Sequence, residues 1–132
     1  MLVWIFNNVD DDDITARMEG EDRVINELKK LDDNYYLAND IILNTVDGNI
    51  DHIIFGSNMI GVIETKNYSG SLTCEGDQWY RTYPNGGRIL IDSPSIQVKK
   101  NAIQLRNYLE SKGAPNRWVD PIVVFSEPNV QL

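Results

Sequence analysis

The chain has 132 residues, 42% of them hydrophobic, and a formal net charge of −8. That length suits one domain with a sizeable core, and no apolar run approaches the roughly 18 residues of a membrane span. One cysteine and one histidine exclude a disulfide framework, a cysteine-rich zinc site and a multi-histidine metal site, which leaves oxygen ligands for any hard metal.

The opening MLVWIF is too short for a signal peptide and has no basic leader, so a soluble, cytoplasmic protein is expected. The aspartates at positions 10 to 13 read as a solvated run, making 1–13 a flexible acidic segment and 14–132 the domain. Without that run the chain still carries −4, which argues against indiscriminate binding to phosphate backbones but leaves local binding open.

From Ile14 to Leu31, the series Ile14, Met18, Glu21, Ile25 and Leu28 steps by one helical turn, and one member of this apolar face is a glutamate. Residues 35–45 read as a strand, and Asp47-Gly48 as a turn into a second strand at 49–56. A third follows at 59–67. SLTCE, QWYRTY and RILID then form a meander punctuated by Gly76-Asp77 and by the Pro84-Asn85-Gly86-Gly87 cluster. Ser93-Pro94 supplies an N-cap and a first-turn proline for a helix reaching about Glu110, with Val98, Ala102, Leu105 and Leu109 facing inward. The last strand, 118–125, contains Pro121, which must sit at a sheet edge or at the strand's start.

The hairpin at residues 49–66, NIDHIIFGSNMIGVIETK, carries the chemistry. If Ser57-Asn58 is the loop, Asp51 stands opposite Glu64, and Lys66 lies two residues along the same face as Ile53 and Val62. Both faces of the hairpin are apolar enough to want covering, so it is expected to be central. Two carboxylates about 5 Å apart repel by roughly 3 kcal/mol at an effective dielectric near 20. A cation must offset that repulsion. Lys66 alone would make a structural salt-bridge cluster; a divalent ion such as Mg²⁺ would take one or two carboxylates plus waters and a substrate phosphate. Glu21, facing the sheet from the first helix, would be a third oxygen ligand if that helix packs on this face.

These residues resemble a known family. Asp51, twelve residues, then Glu64-Thr65-Lys66 in apolar strands resembles the PD-(D/E)XK nuclease signature. Gly20-Glu21, Ile50-Asp51-His52, Ile63 to Asn67, Trp79, and Pro94-Ser95 followed by Gln97 are similar, in that order, to its nuclease-related domain (NERD) branch. The resemblance implies a restriction-endonuclease-like α/β fold, a central mixed sheet flanked by helices in the order αβββ(ββ)αβ. It also implies metal-dependent cleavage of DNA phosphodiesters, endo- or exonucleolytic, in DNA processing or repair. Asp51 and Glu64 would hold Mg²⁺, or Mn²⁺ in its place, with the Thr65 carbonyl and Glu21 as further ligands; Lys66 would orient the attacking water, and Gln97 would belong to the site. A fused or associated helicase-type domain fits the same family. The alternative is a non-catalytic nucleic-acid-binding or protein-interaction module on the same fold.

Around this core the expectations are plainer. His52 points to the opposite face and packs. Cys74 is expected to be a buried, inert thiol. Trp79, Tyr80 and Tyr83 cover a sheet rather than stack on bases, Lys99 and Lys100 are solvated, and Asn67 and Tyr68 border the site.

Overall fold

The computed structural model describes residues 2–5, 16–43, 48–127 and 129–132, with the backbone alone for 2–5 and 16–18. The aspartate run, the expected turn residue Asp47, and Ile14 and Met18 of the predicted stripe lie outside the described residues or side chains. The elements in chain order are β1 (Leu2–Ile5), α1 (Ala16–Leu28), β2 (Tyr36–Ile41), β3 (Ile50–Phe55), β4 (Ile60–Lys66), β5 (Gly70–Glu75), β6 (Gln78–Thr82), β7 (Arg88–Ile91), α2 (Pro94–Ser111), β8 (Asp120–Phe125) and β9 (Val130–Gln131). Among the described residues no helix is long and apolar enough to cross a membrane.

The main sheet has five strands in the order β1-β8-β4-β3-β2. It is mixed: β8 runs parallel to β1 and β4, while β4, β3 and β2 alternate in direction. The predicted hairpin is therefore central, with the predicted register, since Phe55 pairs with Ile60 and Ile53 with Val62. Gly56 N–H donates to the Met59 carbonyl at 2.8 Å and closes the Ser57-Asn58 loop. Pro121 takes the second alternative open to it. It stands at the start of β8, which is flanked on both sides and not at an edge. From Pro121 to Phe125 every residue is buried, as a parallel strand covered on both faces requires.

Strand alternation divides the core in two. Ile53, Val62, Val123 and Phe125 face α2, which brings Val98, Ala102 and Leu105. Ile54, Ile63, Ile122 and Val124 face α1, which brings Val24 and Leu28. Gly61 belongs to the α1 side, where a Cβ would come within 2.8 Å of Ile54 Cγ2 and 3.1 Å of Ile122 Cδ1. The predicted meander β5-β6-β7 forms a separate four-stranded sheet closed by β9, in the order β7-β6-β5-β9. Trp79 fastens it to the core: the indole is buried, packs on Phe125 at 5.4 Å between ring centroids, and donates to Ser95 Oγ at 3.0 Å.

Three expectations change. The buried stripe of α1 is Gly20, Val24 and Leu28, one residue out of phase with the predicted Glu21 and Ile25. The helix covers the sheet face opposite Asp51 and Glu64. Cys74 is exposed, its Sγ bonded to the Gly76 carbonyl, because β5 leaves its outer positions open.

Candidate active site

The acids lie where β3 and β4 meet. Asp51 Oδ2 accepts the Thr65 N–H at 2.8 Å, which ties the start of β3 to the end of β4 on the register that sets Asp51 against Glu64. Glu64 is 2% exposed. Its Oε1 receives the Lys66 ammonium at 2.6 Å, while Oε2 is buried without a hydrogen-bond partner. Burial, followed by the Asp51 charge, pushes the Glu64 carboxyl up from 4.5 to about 7; Lys66 holds it down and Glu21 adds to the rise. Desolvation wins over the ion pair because Lys66 neutralises one oxygen and leaves the other buried without a partner.

Helix α2 supplies the next partner. Ser93 caps it by accepting the Ile96 N–H at 3.2 Å, and Pro94 starts the first turn. That geometry carries Gln97 over the end of β4, where its Oε1 accepts from Lys66 Nζ at 3.2 Å. The ammonium is thus held between a carboxylate and an amide oxygen.

Glu21 reaches the same place by a different route from the one expected. Helix α1 lies on the far face, yet its N-terminal half passes the rim of the sheet at Gly20. A Cβ at that position would stand 2.6 Å from Ser126 Oγ and 3.4 Å from Asn67 Cβ, so a side chain there would have to displace the Ser126 hydroxyl. Ser126 holds the contact together. Its N–H donates to the Lys66 carbonyl at 3.0 Å, its hydroxyl donates to Asn67 Oδ1 at 3.2 Å, and its carbonyl accepts from Arg23 Nη1 at 3.2 Å. Ser126 and Arg23 went unread in the sequence. A serine directly after the VVF run is a faint signal that a strand end has a polar partner.

The result is a cavity of about 500 Å³ lined by Gly20, Glu21, Asp51, Glu64 to Tyr68, and Gln97. All six predicted site residues, Glu21, Asp51, Glu64, Thr65, Lys66 and Gln97, share it. Among the described residues, no three His, Cys, Asp or Glu side chains gather into a ready-made ion cage. The donors are instead the Asp51 and Glu64 pair, with Glu21 on the wall. A carboxylate pair with an unpartnered buried oxygen at the edge of a cavity is the kind of donor set that a hard divalent ion such as Mg²⁺ takes together with waters.

His52 is absent from this cavity. It is fully buried on the α1 side, with Nδ1 2.9 Å from Asn39 Oδ1, and burial lowers its pKa. Lys99 pairs with Asp77 at 2.8 Å, and Tyr80 stacks under Arg88.

The nuclease-related domain (NERD) family matches residues 16–126. The chain belongs to this family. The NERD match begins at α1 and ends at Ser126, and so takes in every residue that lines the cavity. A probable kinase, PglW of Streptomyces coelicolor, is 28% identical over 83 residues, a stretch covering 63% of this chain and 5% of that protein. The NERD chain therefore spans only a small part of that relative's length. No solved structure matches it.

Proposed function

We propose that this NERD domain is a Mg²⁺-dependent nuclease, with Mn²⁺ able to substitute, that hydrolyses phosphodiester bonds in DNA. One observation carries the reading: Glu64 is buried in the middle strand of the sheet with a bare Oε2, beside Asp51 and Lys66, at the floor of an open cavity. A bound divalent ion would acidify a water molecule and neutralise charge on the phosphoryl oxygens. Asp51 and Glu64 would hold it, with the Thr65 carbonyl and Glu21 as further oxygen donors.

The chain's own residues supply the rest. Lys66, fixed by Glu64 Oε1 and Gln97 Oε1, keeps a donor for the attacking water or for the phosphoryl oxygen where negative charge grows. Gln97 holds that ammonium over the cavity. The Thr65 N–H fixes the Asp51 carboxylate, leaving its other oxygen for a ligand. A role in DNA processing or repair, in the cytoplasm, fits this chemistry, for a module that operates alone or joined to a further domain such as a helicase. The size of PglW supports the joined form.

The test is incubation of the purified protein with single-stranded, duplex and branched DNA in Mg²⁺, Mn²⁺ or chelator. Cleavage should require metal and disappear in Asp51→Asn, Glu64→Gln and Lys66→Ala. Metal-independent DNA binding without cleavage, surviving Asp51→Asn, would show a binding module instead.

A further inference from the structure

The chain is acidic, but its charge is unevenly placed. Residues 94–118 hold Lys99, Lys100, Arg106, Lys112 and Arg117 against one carboxylate, Glu110, for a net +4. The rest of the chain carries −12. A polyanion approaching the cavity meets repulsion from most of the molecule and attraction along α2, whose first turn already reaches the site through Gln97.

One flank of α2, bordering the inward stripe to which Ala102 belongs, is more than basic. Lys99, Ala102, Ile103 and Arg106 form, with Trp118 and Pro121, a groove of about 300 Å³. Trp118 is 70% exposed, and its Nε1 donates to Asp120 Oδ1 at 2.8 Å, which fixes an indole that the core does not use. Ile103 is 55% exposed beside it. Of the groove's cations, Lys99 is held by Asp77 and Arg106 meets Glu110 only at 3.8 Å; Lys100, exposed on α2 outside the groove lining, makes no ion pair among the described residues.

We propose that α2 and Trp118 form a binding surface for single-stranded nucleic acid, with Lys100 and Arg106 on the phosphates and the Trp118 indole stacked on an unpaired base. The inference rests on the nuclease reading and narrows its substrate to nucleic acid with an unpaired stretch. Cations flanking an exposed aromatic give sequence-tolerant binding to a strand. A duplex offers phosphates to the cations but hides the base faces that a tryptophan needs. The pairing of charge with an exposed ring therefore selects the single strand.

The experiment measures fluorescence anisotropy of a labelled oligodeoxythymidine and of a blunt duplex of equal length, in chelator so that nothing is cut. Lys100→Glu combined with Arg106→Glu should raise Kd for both ligands roughly 10-fold or more and flatten the salt dependence. Trp118→Ala should raise Kd for the single strand about 10-fold and leave the duplex value unchanged. Because Trp118 is a surface residue, its variant should melt with the wild type, which circular dichroism verifies. Wild-type strand affinity in Trp118→Ala overturns the proposal. So does the loss of a dimer by that variant with strand binding intact, since the groove would then be covered by a second copy. The two readings fail separately: cleavage with normal binding by these variants removes only the surface, whereas strand binding through α2 without cleavage in any metal removes only the nuclease.

Discussion

Replacing Glu64 with glutamine is expected to stabilise the metal-free protein above neutrality while changing little in mild acid. The folded-state pKa of Glu64 is raised, from 4.5 to about 7, chiefly by burial and then by the Asp51 charge. The folded protein therefore binds this proton more tightly than the unfolded chain does. Its contribution to stability is fully present below pH 4.5 and is lost as pH rises through about 7. At about 1.4 kcal/mol for each pH unit, that interval amounts to about 3 kcal/mol. The residue is 2% exposed, so solvent screening removes little of it.

Urea unfolding in chelator, at pH 4.5 and about pH 8, reads this directly. With an m-value on the order of 1.5 kcal/mol/M, the urea midpoint of the glutamine variant should gain about 2 M on the wild type across the interval. Titrating groups that do not interact with Glu64 contribute equally to both proteins and cancel in the difference. Parallel pH profiles would mean that Glu64 is solvated or fully neutralised by Lys66, and the account of a strained carboxylate would fail.

Three further outcomes follow from the same geometry. Lys66→Met removes the ammonium 2.6 Å from Glu64 and should cost on the order of 3 kcal/mol at about pH 8 but much less near pH 5, by urea unfolding in chelator. Gly20→Ala should destabilise by about 1–3 kcal/mol in spite of the better helix propensity of alanine, because its Cβ meets Ser126 Oγ. Adding Ser126→Ala should recover most of that loss, and strict additivity in the double-mutant cycle would remove Ser126 as the rim contact. Millimolar Mg²⁺ should raise the thermal midpoint of the wild type and leave Asp51→Asn and Glu64→Gln unmoved; equal shifts in all three would put the ion elsewhere.

The hairpin was the most legible part of the sequence because parity is unforgiving. Gly56, Ser57 and Asn58 fix a two-residue loop, the loop fixes the register, and the register sets Asp51 against Glu64. Helix α2 was equally readable from its cap, its first-turn proline and the spacing of Val98, Ala102 and Leu105. The side of the sheet covered by α1 was not readable, since periodicity shows that a helix has an apolar face and is silent on which sheet face receives it. The phase of its stripe failed for a related reason. Gly20 makes the closest approach in the helix and adds no hydrophobicity to a pattern search. Strands β1 and β9 are four and two residues long, too short for alternation to register, and hydrogen bonding to established neighbours makes them strands.

Four residues around the cavity break local rules. Glu64 puts a carboxylate in a strand whose residues from Ile60 to Ile63 are all buried. Gly20 sits inside a helix, where it costs up to about 1 kcal/mol against alanine. Ser126 is a fully buried hydroxyl closing an apolar run, and Gln97 spends an amide on an ammonium that already has a carboxylate. Glu64, Gly20 and Gln97 line a single cavity, and Ser126 binds the two elements that carry its wall. Local costs gathered around one carboxylate pair are what the proposed ion site would require, because each of them keeps the cavity open or its charged groups in place.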